Sequence, residues 1–170
     1  MRFLKVLFPV GLACILAGCA SYRLGSVNGT VAGEKSVEIL PFNNQTLQTR
    51  FGDAVTQALR ERLQVDATYH LATSAPGDLV ISGVIGRYQR EGLGYLNTDS
   101  ATPQNFRVEV TAHVIIRERV SGKLLLDRDV KAHSLVNVGP DFASAERQAA
   151  PLIAADLAQN ILELLTEGAW

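Results

Sequence analysis

Between Phe106 and Glu118 the chain alternates apolar and polar residues, and this stretch limits the fold more than any other. Phe106, Val108, Val110, Ala112, Val114 and Ile116 fall on one side, with Arg107, Glu109, Thr111, His113 and Arg117 on the other. Side chains of a strand point to opposite faces in turn, so a period of two means burial on one face only. A sheet built around such a strand needs one covering layer and leaves its second face to solvent.

Two segments have the helical spacing to provide that layer. Leu47, Phe51, Val55, Leu59 and Leu63 recur every fourth residue, with Ala54 and Ala58 beside them and Arg50, Asp53, Gln57, Arg60 and Glu61 opposite. Asn43-Asn44-Gln45-Thr46 precedes them as a turn whose Asn or Thr side chain is expected to cap the helix. Ile153, Leu157, Ile161 and Leu165 make a second stripe between about Ala143 and Glu167, where Pro151 predicts a kink or a late start. Strands are expected at Ser36–Phe42, Asp78–Arg90 and Leu124–His133, with a short one near Thr68–Ala72. In the third of these, Leu124, Leu126, Val130 and Ala132 should face inward. The expected fold class is α+β: a two-layer sandwich with an about four-stranded, mostly antiparallel sheet and two helices packed on one face.

The N-terminus carries a different message. Arg2 and Lys5 precede an apolar run from Val6 to Leu16, which ends in Leu16-Ala17-Gly18-Cys19. That is the layout of a secretory signal, and the run is too short for a membrane span of roughly 20 residues. Leu-Ala-Gly-Cys resembles the lipobox of bacterial lipoproteins. The resemblance implies cleavage before Cys19, a diacylglyceryl thioether on its sulfur and acylation of the new amino group. Ala20 in the next position favours, by the same analogy, sorting to the outer membrane. Residues 1–18 are thus read as a cleaved signal, 19–35 as the lipidated N-terminus and a Gly/Ser-rich tether, and 36–170 as one domain. Cys14 leaves with the signal and Cys19 is consumed by lipid, so no disulfide is expected. Loss of Arg2 and Lys5 takes the formal charge from −1 to −3, which gives no electrostatic basis for binding nucleic acid.

Catalytic chemistry is not expected. His70, His113 and His133 have no metal-ligand spacing, no free thiol remains, and no nucleophile elbow or phosphate-binding glycine pattern is present. No catalytic residue, metal or cofactor is therefore assigned. Gly92–Gln104 instead reads as a thirteen-residue loop between strands, longer than hairpin loops usually are. Leu93, Tyr95 and Leu96 on it are candidates for contact with a larger partner.

In order along the chain stand Tyr22-Arg23-Leu24-Gly25, then Ser36-Val37-Glu38-Ile39-Leu40-Pro41-Phe42-Asn43-Asn44-Gln45-Thr46 and an amphipathic helix. Gly77-Asp78-Leu79-Val80-Ile81-Ser82-Gly83-Val84-Ile85 follows, then the alternating strand, Ser121-Gly122-Lys123-Leu124-Leu125-Leu126, and a helix ending near Trp170. This succession resembles the LptE family of outer-membrane lipoproteins. The resemblance implies a plug within an LptD-like outer-membrane β-barrel that takes part in lipopolysaccharide transport and assembly. If lipopolysaccharide is touched directly, basic side chains should meet its phosphates. Arg87 and Arg90 at the base of the long loop are the candidates, with Arg117, Arg119, Lys123 and Arg128 around the next hairpin behind them, and none of these is carried over from the family. Leu40-Pro41-Phe42-Asn43-Asn44 is similar as well to a stretch in CsgG-like and LpoB-like lipoproteins. The competing expectation is therefore a lipoprotein that binds and regulates a periplasmic enzyme or a secretion pore.

Overall fold

The computed structural model describes residues 33–66, 68–96, 99–137 and 142–168. Cys19, the signal and most of the tether lie outside these residues. In chain order the elements are β1 (Ser36–Ile39), β2 (Asn43–Asn44), α1 (Phe51–Val65), β3 (His70–Leu71), β4 (Leu79–Leu96), β5 (Asp99–Glu118), β6 (Leu124–Asn137) and α2 (Phe142–Glu167). The strands form one six-stranded sheet in the order β3-β1-β4-β5-β6, with β2 also paired to β4.

The α+β sandwich is as expected, with a higher strand count because β2 and β3 are two-residue pairings. The sheet is mixed. β1 and β2 run parallel to β4, and β3 runs parallel to β1; β4, β5 and β6 are antiparallel neighbours. The parallel pairings follow from α1, which carries the chain back over the sheet before it re-enters as β3 and β4.

One apolar layer joins sheet and helices. Val108, Val110, Ala112, Val114 and Ile116 of β5 are fully buried, as the alternation requires. Leu79, Ile81 and Ile85 of β4 flank them on one side and Val130, Ala132 and Val136 of β6 on the other. Phe51, Val55, Leu59 and Leu63 of α1, with Ile153, Leu157, Ile161 and Leu165 of α2, cover this surface. Burial of one such aliphatic side chain contributes about 1.5–3 kcal/mol, so the layer outweighs any single polar contact. Among the described residues no helix is long and apolar enough to cross a membrane.

Local departures have identifiable causes. Leu47 does not join the α1 stripe; it is fully exposed, and the helix starts at Phe51. Asn44 holds the preceding turn instead: its side-chain oxygen accepts from the Thr46 amide at 3.0 Å and its amide donates to the Gln48 carbonyl at 2.5 Å. The chain then enters α1 through Arg50 in the left-handed region (φ 63°), and the cap residue contributes no side-chain hydrogen bond. Leu124 is more than a third exposed, because a register shift between Ile116 and Arg117 pairs it with Arg117 and not with a core residue of β5. Pro151 neither delays nor divides α2, which runs for 26 residues with Pro151 on its exposed side.

Phe42 locks the sheet to α1. Its amide donates to the Thr56 hydroxyl at 3.0 Å, which itself donates to the Gly52 carbonyl at 2.8 Å. Its ring lies on Gly83 of β4, where a Cβ would come within 2.3 Å, and its carbonyl lies under Gly52, where a Cβ would come within 2.5 Å. Both glycines are there for close approach. Gly83→Ala should therefore destabilise the domain by about 2–3 kcal/mol through overpacking, read as a lower denaturant midpoint with unchanged slope.

Candidate functional site

The uncovered face of the sheet and the far end of the β4–β5 hairpin are the surfaces the core does not use. A β-bulge between Ile85 and Arg87 sets which residues reach them. The extra residue, Gly86, shifts the side-chain alternation by one. Arg87 stands opposite Thr111 and faces outward, whereas Tyr88 stands opposite the buried Val110 and faces the helices.

On the helix side, Glu146 of α2 gathers three side chains. It accepts from the Tyr88 hydroxyl at 2.9 Å, from Arg90 through Nε at 2.6 Å and a terminal nitrogen at 3.0 Å, and from the Gln48 amide at 3.2 Å. The Phe51 and Tyr88 rings meet edge to face with centroids 6.1 Å apart, and the Arg90 guanidinium lies 5.8 Å from the centre of the Tyr88 ring. A forked Arg–carboxylate pair is geometrically specific, and this one ties the hairpin's base to the start of α2. Burial, followed by the hydrogen bond to Glu146, pushes the Tyr88 hydroxyl well above the ordinary phenol range.

On the open face the residues form cross-strand rows. Arg87, Thr111 and Lys131 make one row; Val84, His113 and Asp129 make the next. The His113 ring lies between two carboxylates, with Nδ1 2.9 Å from Asp129 and Nε2 3.0 Å from Asp127. Lys131 donates to Glu109 at 3.0 Å, and this hydrogen bond holds the Glu109 carboxyl below its usual range. Arg87 makes no ion pair among the described residues, and the buried Thr111 hydroxyl has no hydrogen-bond partner there. Arg87, Thr111, His113, Asp129 and Lys131, with Gln45, Val84 and Gly86, line a shallow depression of about 340 Å³. Among the described residues no group of three or more His, Cys, Asp and Glu side chains is arranged to hold a metal ion.

In the thirteen-residue loop expected at Gly92–Gln104, the described residues are strand and not loop, and Asn97 and Thr98 lie outside the described residues. Gly92 pairs with Phe106, Leu93 with Asn105, Tyr95 with Pro103 and Leu96 with Asp99. Leu93, Tyr95 and Leu96 are thus strand residues on a two-stranded arm. The last pair between β5 and β6 among the described residues is Asn105 with Asn137, and β4 and β5 stay paired beyond it as far as Leu96 and Asp99.

The two candidate arginines are not brought together. Arg87 is on the open face, and Arg90 is engaged with Glu146 on the helix side. Of the secondary basic candidates, Arg119 pairs with Glu38 and donates to the Gly77 carbonyl at 2.8 Å, closing the opposite end of the sheet. Sequence reasoning did not single out Glu146, Lys131 or Thr111. The one local signal for the face change was Gly86 within an apolar run, which marks a bulge.

The architecture defines a class: small α/β domains with two helices on one face of a mixed sheet, the second face open. Solved structures sharing this fold include a minor lipoprotein from Acinetobacter baumannii (TM-score 0.52, 16% identity, covering 78% of this chain and 92% of that one). They include rare lipoprotein B from Shewanella oneidensis (TM-score 0.50, 14% identity, covering 76% and 92%). A hypothetical protein from Chlamydia trachomatis also shares it (TM-score 0.57, 10% identity, covering 81% and 98%). No curated protein matches the sequence. The family model LptE, described as Lipopolysaccharide-assembly, matches residues 34–165, and the chain belongs to that family.

The raised Tyr88 value has a pH consequence. The unfolded chain releases this proton near pH 10 while the folded chain retains it, so the folded state binds more protons above that pH. This contribution is complete below about pH 10 and declines as pH rises further. Tyr88→Phe should flatten the alkaline decline in denaturant midpoint; an unchanged profile would remove Tyr88 as its source.

Proposed function

We propose that this chain is an outer-membrane lipoprotein, anchored on the periplasmic side through acylated Cys19, that partners an LptD-like β-barrel in lipopolysaccharide transport and assembly. The observation that carries the reading is the LptE family match across nearly the whole described domain. The geometry is compatible with it. A domain whose helices seal one side offers a partner the open β-face and the hairpin arm. The role proposed is binding and not catalysis.

Within that reading Arg87 is the better placed of the two candidate arginines for a lipopolysaccharide phosphate, since Arg90 already serves Glu146. A guanidinium with no carboxylate partner can offer its donors to a phosphate without first losing an ion pair.

The lipid anchor should be separable from the partnership. One acyl chain holds a protein to a membrane only marginally, so two or more are needed for stable anchoring. Cys19→Ser should abolish incorporation of labelled palmitate. Expressed without the barrel, it should move the chain from the membrane to the soluble fraction. Mild detergent extraction of the parent should recover a one-to-one complex with an LptD-like barrel, and depletion should lower surface lipopolysaccharide. Recovery with a cell-wall synthase or a ring-forming pore in place of the barrel would overturn the assignment.

A further inference from the structure

The sheet's two long free edges are treated differently. Along β6, α2 caps the outward main-chain groups: the His133 amide donates to Asp156 at 3.0 Å, and the Asn160 side chain donates to the Lys131 carbonyl at 2.8 Å. Such capping blocks an edge against an added strand. On the other side, β1 pairs with β4 only at Leu79–Ile81, β2 only at Val84 and Ile85, and the Gln45 amide donates to the Ile85 carbonyl at 3.0 Å. From Gly86 onward no described strand pairs with that side of β4.

The register identifies the groups presented there. The outward amide of His133 and outward carbonyl of Lys131 make the pairs with Glu109 and Thr111 non-hydrogen-bonded ones. Glu109 and Thr111 therefore direct their main-chain groups to Gln89 and Arg87 of β4. The alternate residues, Tyr88 and Gly92 among them, turn theirs away from β5, into the lane β2 has left. That lane is a groove of about 590 Å³, walled by Gln45–Gln48 on one side and 86–90 on the other, with the fully exposed Leu47 at its rim.

We propose that this groove receives an extended segment of the barrel partner, which adds to β4 as a further strand in line with β2. Main-chain pairing supplies the affinity in this mode, and flanking side chains choose the segment. Leu47, fully exposed at the rim, fits an apolar residue of the segment. The proposal rests on the barrel partnership above, and its failure can be told apart from the failure of that reading.

The test uses the full lipidated chain coexpressed with the LptD-like barrel, carrying a photo-crosslinking benzoylphenylalanine at Leu47 or Gln89. Control positions are Asp129 on β6 and Glu61 on α1. Crosslinks from Leu47 and Gln89 should map to one contiguous segment of the barrel protein, with none from Glu61. Gly92→Pro, which removes an outward amide, should lower recovery of the complex about tenfold, whereas Gly92→Ala retains it. Circular dichroism on both variants establishes that each is folded. An intact complex whose crosslinks arise only from Asp129 would overturn the groove while leaving the partnership in place. Crosslinks to a second copy of this chain, or undiminished recovery of a folded Gly92→Pro variant, would likewise overturn it. No barrel complex with the parent chain would overturn both readings.

Discussion

The structure depends on a sheet with a single apolar face. Because β5 buries Val108 to Ile116 on one side and presents Arg107 to Arg117 on the other, both helices must lie on the same side. The remaining polar face is then committed to solvent or to a partner. The tight seating of Phe42 between Gly83 and Gly52 serves the same end, since it holds α1 close enough for its stripe to complete the layer.

Beyond the helices the same hairpin changes character. Where α1 and α2 cover it, β4 and β5 are core strands. On the far side of Asn105 they form an arm with no further strand paired to it on either side among the described residues. A two-stranded ribbon is marginally stable alone in water. Here its base is held by the fork between Arg90 and Glu146 and by Tyr88, which join it to α2. The clamp and the Gly86 bulge thus act together. The bulge turns Tyr88 and Arg90 toward the helices, and in doing so it turns Arg87 toward the open face.

That division also bears on what membership of the LptE family means for this chain. Shared fold at low identity, as with the solved lipoproteins, speaks only of architecture, because the covering layer can be built from many apolar residues. Particular contacts come from side chains outside that layer: Arg87, Lys131 and His113 on the open face, and Leu47 at the rim of the groove. Those positions are free to vary without cost to the core, and it is there that a partner's identity would be written.

Several features were legible in the residues alone. The i+4 stripes of α1 and α2, the alternation of β5 and the short strand near His70 each reflect a local period imposed by burial, and a local period survives in a one-dimensional string. Other features were decided only by tertiary structure. Arg87 and Arg90 are three apart and look equivalent, but one bulged residue sends them to opposite faces. Glu146 meets Arg90 across 56 positions. The segment Gly92–Gln104 reads as a loop because its residues do not alternate apolar and polar, and main-chain pairing by itself leaves no record in the sequence. Leu47 matches the α1 stripe in spacing but stays exposed because the Asn44 turn delays the helix. In each case the deciding contact lies across the sheet or in the main chain, where side-chain periodicity carries no record of it.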